Sequence, residues 1–161
     1  MVSATSPKRT TRPKTRWLSS DEEATWRAFA TVMVRLPWAL EGQLQRDAEL
    51  SFIEYHALAR LSEEPDHTLR MSHLAELTEA SPSRLSHLIK RLEARGLVRR
   101  EPDPSDGRII NAILTKAGYA KLVAAAPAHV STVRALVFDQ LSASERKQLD
   151  GICRNLLQQL P

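Results

Sequence analysis

The chain has 161 residues, enough for one domain with a real core and too few for a second independent one. Its residues are 42% hydrophobic but only 5% aromatic, and the dominance of Ala and Leu favours helices over a β-sandwich. A net charge of +4 and a pI near 9.6 suit a polyanionic partner without identifying one.

That charge is unevenly placed. Lys8, Arg9, Arg12, Lys14 and Arg16 contribute +5 to the total of +4, so the rest of the chain sums to −1. Residues 1–17 mix these cations with Pro, Ser and Thr and lack apolar periodicity, which predicts a disordered basic tail ahead of a domain over 18–161. The tail has no apolar segment of the kind a secretory leader needs, and no run of about 18 uninterrupted apolar residues follows. A cytoplasmic protein without a membrane partner is expected. Cys153 is the single cysteine, so no intrachain disulfide forms, and a plain buried helix cysteine is expected there rather than a redox sensor.

Capping chemistry marks four helix starts, in which a Ser side chain accepts from an exposed backbone N–H and a Glu three residues on reaches back. Ser20 with Glu23 opens a helix to about Arg46, with Trp26, Phe29, Ala30, Met33 and Val34 on one stripe and a bend at Pro37. Ser51 with Glu54 opens the next, over 51–62. The polar break Glu63-Glu64-Pro65-Asp66 leads to a short helix over 72–78. Ser81-Pro82 then starts a helix to Arg95, which stops at Gly96. The β-prone segments 97–101 and 109–114 flank a turn-rich Pro-Asp-Pro-Ser-Asp-Gly-Arg loop and read as a hairpin. Thr115 caps a further helix carrying Pro127, where a kink is expected, and Ser142 with Glu145 opens the last.

Two short helices joined by a few residues and followed by a basic hairpin have the order of a helix-turn-helix with a wing. At 100° per residue, Leu85, Leu88, Ile89 and Leu92 fall on one face of the second helix. Ser83, His87 and Lys90 lie opposite, flanked by Arg84, Ser86 and Arg91. Short hydrogen-bonding groups and cations together suit base edges in a DNA groove, with Ser81 at the cap, and Arg99 and its neighbours suit phosphate. Arg108 at the hairpin tip could enter a minor groove, and Asp106 reads as a support that orients it.

The run from Ser72 to Gly118 resembles the MarR family of bacterial regulators. The resemblance rests on His73-Leu74-Ala75-Glu76-Leu77, the stretch Ser83 to Glu93, Gly96-Leu97-Val98-Arg99-Arg100, Asp106-Gly107-Arg108 and Leu114-Thr115-Lys116-Ala117-Gly118, in that order. It implies a mainly α fold: a winged helix-turn-helix over about 51–115 with a two-stranded wing, between dimerisation helices over about 18–46 and 116–160. It further implies a homodimer reading an inverted repeat in double-stranded DNA, with Ser83, Arg84, Ser86, His87 and Lys90 in the groove and Arg108 at the wing. A small phenolic or hydrophobic effector that weakens DNA binding often accompanies this design. Ile109-Ile110 departs from the more polar continuation common after the wing arginine.

The apolar stripes Trp26, Phe29, Met33 and Leu149, Ile152, Leu156, Leu160 exceed what one small lobe covers, and a partner chain could bury them. Trp38, Phe52, Tyr55 and His56 form a candidate effector pocket, although ordinary core packing also accounts for them. The five histidines lack metal-ligand spacing, so neither a metal nor a cofactor is expected. Catalytic motifs such as G-x-S-x-G, a P-loop or H-E-x-x-H are missing, so an enzyme is not expected. The rival reading is a sequence-independent architectural DNA-binding protein held by its basic tail and helix.

Overall fold

The computed structural model describes residues 15–160, so the expected disordered tail lies almost entirely outside the described residues. The chain divides into two compact units at Val34 and Arg35. The first helix, α1 (Ser20–Ala48), begins in one and ends in the other.

In the first unit the capping box forms one residue earlier than the sequence reading placed it. Glu22 N donates to Ser19 Oγ at 3.2 Å and Ser19 N donates to Glu22 Oε2 at 2.7 Å. Ser-Ser-Asp-Glu-Glu offers two registers for the same motif, and Glu23 is taken instead by an ion pair with Arg27. Trp26, Phe29, Met33 and Val34 are all exposed on this half of α1.

The second unit continues with α2 (Phe52–Glu63), β1 (Thr68–Arg70), α3 (Met71–Leu77), α4 (Pro82–Ala94), β2 (Val98–Pro102), β3 (Ile110–Leu114), α5 (Lys116–Leu136), a 3-10 turn at Phe138–Gln140, and α6 (Ala143–Leu157). The boxes at Ser51/Glu54 and Ser142/Glu145 and the cap at Ser81 all form where the sequence put them. The α5 helix continues past Pro127. The expected two-stranded hairpin is part of a three-stranded antiparallel sheet in the order β1-β3-β2, with Leu69 opposite Ala112 and Arg100 opposite Ala112 on its other side. Three residues are too few to show a strand period, and only the edge of β3 makes β1 a strand.

The core gathers Leu50, Leu58, Leu61, Leu74, Leu85, Leu88, Ile89, Leu92 and Val98, all essentially buried. At about 1.5–3 kcal/mol for each fully buried aliphatic side chain, this cluster holds α2, α3, α4 and the sheet as one lobe. Two helix ends use a residue other than glycine in the left-handed region. Glu49 (φ 51°) ends α1, and Glu79 (φ 50°) forms the turn between α3 and α4, where Ala80 N donates to Ala75 O at 3.0 Å. The α5 helix packs against α2, and its first turn is fastened beside the residue that leads into β2. Thr115 Oγ1 accepts from Gly118 N at 3.0 Å, and Thr115 N donates to Leu97 O at 3.1 Å. A Cβ at Gly118 would lie 2.0 Å from Leu97 O, so this position admits glycine alone.

The segment Lys116–Gln140 is long and apolar enough, by length and composition, to cross a membrane, with a mean hydropathy of 1.2. One side of it is packed through Leu122, Ala125 and His129, while Val123, Val130 and Leu136 are exposed. No residue of α6 is buried, and Leu149, Ile152, Leu156 and Leu157 all lie open.

Candidate nucleic-acid interface

The face division predicted for α4 is the one observed. Leu85, Leu88, Ile89 and Leu92 are buried, whereas Ser83, Arg84, Ser86, His87, Lys90 and Arg91 are exposed. The helix starts with Ser81, whose Oγ accepts from Arg84 N at 3.4 Å and also lies 3.3 Å from Ser83 Oγ. Pro82 has no N–H and Ser81 takes those of Arg84 and Leu85, so the N-terminal turn projects the Ser81 and Ser83 hydroxyls and the Ser83 N–H, a set that suits a base edge or a phosphate oxygen. Arg84, His87 and Lys90 make no ion pair among the described residues.

Other cations of this stretch are engaged. Arg91 Nε donates to Glu54 Oε1 at 3.2 Å, and Arg95 Nη1 lies 3.6 Å from Glu54 Oε2. Arg99 pairs with Glu101 on its own strand. Arg100 donates from Nη2 to Glu93 Oε2 at 2.6 Å and from its backbone N to Oε1 at 3.3 Å, which fastens β2 to the end of α4. These donors hold the Glu93 carboxyl below its usual range.

The wing tip is built from two short aspartate turns. Asp103 accepts from Ser105 N at 2.9 Å and from Asn111 Nδ2 at 3.2 Å, while Ile109 N donates to Asp106 O at 2.9 Å. The Ser105 hydroxyl and N–H, then Asn111, push the Asp103 carboxyl well below the ordinary carboxylate range. Asp106 accepts from Arg108 N (3.0 Å) and Nε (3.1 Å) on one oxygen and from Nη2 (3.1 Å) on the other. The arginine is thus held in a fixed fork while its side chain stays 91% exposed. Arg108 lowers the Asp106 carboxyl first, and Arg70 contributes a smaller effect. Arg70, which is exposed and sits opposite Asn111, was missed by sequence reasoning because its strand was not foreseen.

Of the four pocket candidates, Phe52, Tyr55 and His56 come together around a residue the sequence did not suggest. His129, from α5, lies 4.4 Å from Tyr55 and 6.3 Å from Phe52 between ring centroids, and Phe52 lies 4.6 Å from His56. His129 Nδ1 donates to the buried Gln43 Oε1 at 3.1 Å, and Gln43 Nε2 donates to Asp47 Oδ2 at 3.0 Å. Burial lowers the pKa of His129, with the charge of His56 adding to it. Only the 86-residue separation of Gln43 and His129 kept this junction from view. Trp38 stands apart, 78% exposed. Two clefts, of about 420 and 300 Å³, lie at the α3–α4 turn and between α4 and β2, and none of the four candidates lines either. Among the described residues no group of three or more His, Cys, Asp or Glu could hold a metal ion. Cys153 is exposed on α6 and not buried as expected, because no residue of that helix is buried within the chain.

A profile of the MarR family matches residues 48–109, the span from the end of α1 through the wing tip. The crystal structure of Sco3205, a MarR family transcriptional regulator from Streptomyces coelicolor solved in complex with DNA, is 42% identical and superposes with a TM-score of 0.89, covering 92% of this chain and 93% of that one. AbsC, a second MarR family regulator from Streptomyces coelicolor, is 39% identical with a TM-score of 0.86 over 90% of this chain and 97% of its own. The transcriptional repressor MprA of Escherichia coli is 28% identical over 106 residues, or 66% of this chain; the match spans 60% of that repressor's length. Since the likeness to the two Streptomyces regulators runs through the terminal helices as well as the winged lobe, the chain belongs to the MarR family of transcriptional regulators.

Proposed function

We propose that this chain is a sequence-specific DNA-binding repressor that works as a homodimer on an inverted-repeat operator. The observation that carries the reading is the division of α4: an aliphatic seat beneath, and Ser83, Arg84, Ser86, His87 and Lys90 open to solvent beside a wing whose Arg108 is pre-oriented by Asp106. Base contacts fall to the N-terminal turns of α4 in the major groove, and Arg108 enters the adjacent minor groove. Ser81, Arg91 and Arg99 are the weaker candidates of this set, since the first is a cap and the other two are paired with acids. The DNA complex of the 42% identical Sco3205 supports DNA as the partner, and the repressor MprA supports the sign.

A second copy of the chain covers the apolar faces. Residues Trp26, Phe29 and Met33 in the first unit, and Leu149, Ile152, Leu156 and Leu160 in the second, form open stripes that water would not otherwise leave exposed. The same cover, rather than lipid, accounts for the apolar side of α5, in keeping with a cytoplasmic DNA-binding protein. A phenolic or hydrophobic effector is assigned to the Phe52, Tyr55 and His56 cluster, where α2 meets α5, on the chemistry of its rings and polar tips, and its entry would require those packed rings to part.

Genomic footprinting with the purified protein tests the reading directly. It predicts discrete protected sites with two-fold sequence symmetry, bound about a thousand-fold or more tightly than unrelated duplex. Equal affinity for all duplexes would favour the architectural alternative. On the recovered site, Lys90→Ala and Arg108→Ala are expected to cost about 1–3 kcal/mol each, and Arg84→Ala to alter base preference; wild-type binding by all three variants would refute the assignment.

A further inference from the structure

We propose that Glu54 is a positioning residue for DNA reading: through Arg91 and Arg95 it fixes the pose of α4 against the corner between α1 and α2. The inference rests on the dimeric DNA-reading function proposed above. Glu54 is the one carboxylate buried among the described residues, with its side chain 7% exposed. A carboxylate in that setting is costly unless each oxygen is matched by donors. Oε2 accepts from Ser51 N at 2.9 Å and faces Arg95 Nη1 at 3.6 Å, while Oε1 accepts from Arg91 Nε at 3.2 Å. Arg95 also donates from Nη2 to Glu49 O at 2.9 Å, the left-handed residue that ends α1.

The cap alone does not require this charge, because glutamine serves at the same position of a capping box as well as glutamate does. What the charge adds is a hold on two arginines four residues apart at the C-terminal end of the reading helix, Arg91 in its last turn and Arg95 at its C-cap. The reading end is distant from that hold. From Arg91 back to Ser83 is eight residues, about 12 Å of helix, so a 10° swing about the hold moves Ser83 by about 2 Å. Such a shift is enough to lose a base hydrogen bond. Glu49, Ser51 and Glu54 all belong to the corner where α1 passes into α2, so the clamp ties the pose of each reading helix to the helix that leads toward the partner copy. Arg91 accordingly acts on the helix and not on phosphate, although its position on the sequence suggested phosphate.

The test uses the full-length protein and a duplex enriched by it from a random library, together with versions of that duplex carrying one base pair more or fewer at the centre. Glu54→Gln preserves the capping box and removes the charge; Arg91→Gln removes the partner from a half-exposed site and serves if the first variant unfolds. Each variant is expected to bind the selected duplex less tightly and to lose at least about threefold of the wild-type discrimination against altered spacing, because a looser helix accommodates a wrong separation at smaller cost. The double variant is expected to be no worse than either single one, and the dependence of log K on log salt to keep its wild-type slope. Wild-type spacing discrimination in both variants overturns the proposal. So does a slope reduced by about one in Arg91→Gln, the signature of a lost phosphate contact. Should the library yield no preferred duplex, the DNA-reading function itself fails and this inference with it.

Discussion

Replacing Gly118 with alanine probes the seat on which α5 meets the reading lobe. The added methyl carbon would lie 2.0 Å from Leu97 O, 2.7 Å from Leu114 Cδ1 and 2.9 Å from Leu97 C. Two of these three are backbone atoms, so no side-chain rotation relieves the contact. The backbone must open by about 1 Å to reach the closest approach that carbon and oxygen tolerate, and that opening strains the Thr115 N to Leu97 O bond of 3.1 Å. Overpacking costs about 1–3 kcal/mol, and losing the Thr115 cap adds about 1 kcal/mol. A destabilisation of about 2–4 kcal/mol is therefore expected, despite alanine's advantage over glycine in a helix. Urea unfolding at fixed protomer concentration measures it, because the proposed dimer would make the midpoint depend on concentration. Gly42→Ala is the matched control. Its Cβ meets only the flexible end of Arg46 at 3.1 Å, so the change should be neutral or stabilising by up to about 1 kcal/mol. A Gly118→Ala protein within about 0.5 kcal/mol of wild type would show that close approach at Leu97 does not hold α5 in place.

Three further outcomes are expected. His129 has its folded pKa lowered by burial and by His56, so the folded state takes up a proton less readily than the unfolded chain, whose histidine titrates near 6.5. Stability should be full above about pH 6.5 and fall as the pH drops through that value toward the lowered one; thermal melts from pH 8 to 5 read this, and His129→Gln should flatten the profile, which an unchanged slope would contradict. Deleting residues 1–16 should reduce the steepness of the salt dependence of DNA binding, as lost counterion release requires, and an identical slope would show the basic tail idle. Ile152→Glu places a charge on the open stripe of α6, where Ile152 is 55% exposed, and should shift the protein to a monomer in sedimentation experiments; an intact dimer would exclude that stripe as the seam.

Local chemistry made the lobe legible before any coordinates. Ser-x-x-Glu spacing and Ser-Pro located helix starts to within a residue because the groups that satisfy a helix end are supplied by the next few residues. The i, i+3, i+4 spacing of Leu85, Leu88, Ile89 and Leu92 chose the buried face of α4, and with it the exposed one, because helical geometry alone fixes which positions share a face. Asp106 and Arg108 are two residues apart, so even their ion pair could be anticipated.

Other features depend on residues far apart in the chain, and only the folded arrangement decided them. The strand β1 exists because β3 offers it an edge. Glu49 and Glu79 adopt left-handed turns because the helices on either side must turn there to bury their leucines, with no glycine to announce it. The pairing of Arg91 with Glu54 spans 37 residues, and that of His129 with Gln43 spans 86. Charge composition along the sequence counts a cation as available whether or not a distant acid has taken it. Periodicity told which residues face outward; tertiary packing determined which of those outward charges remain free to meet another molecule, because a buried carboxylate must find its counter-charge wherever the fold brings one.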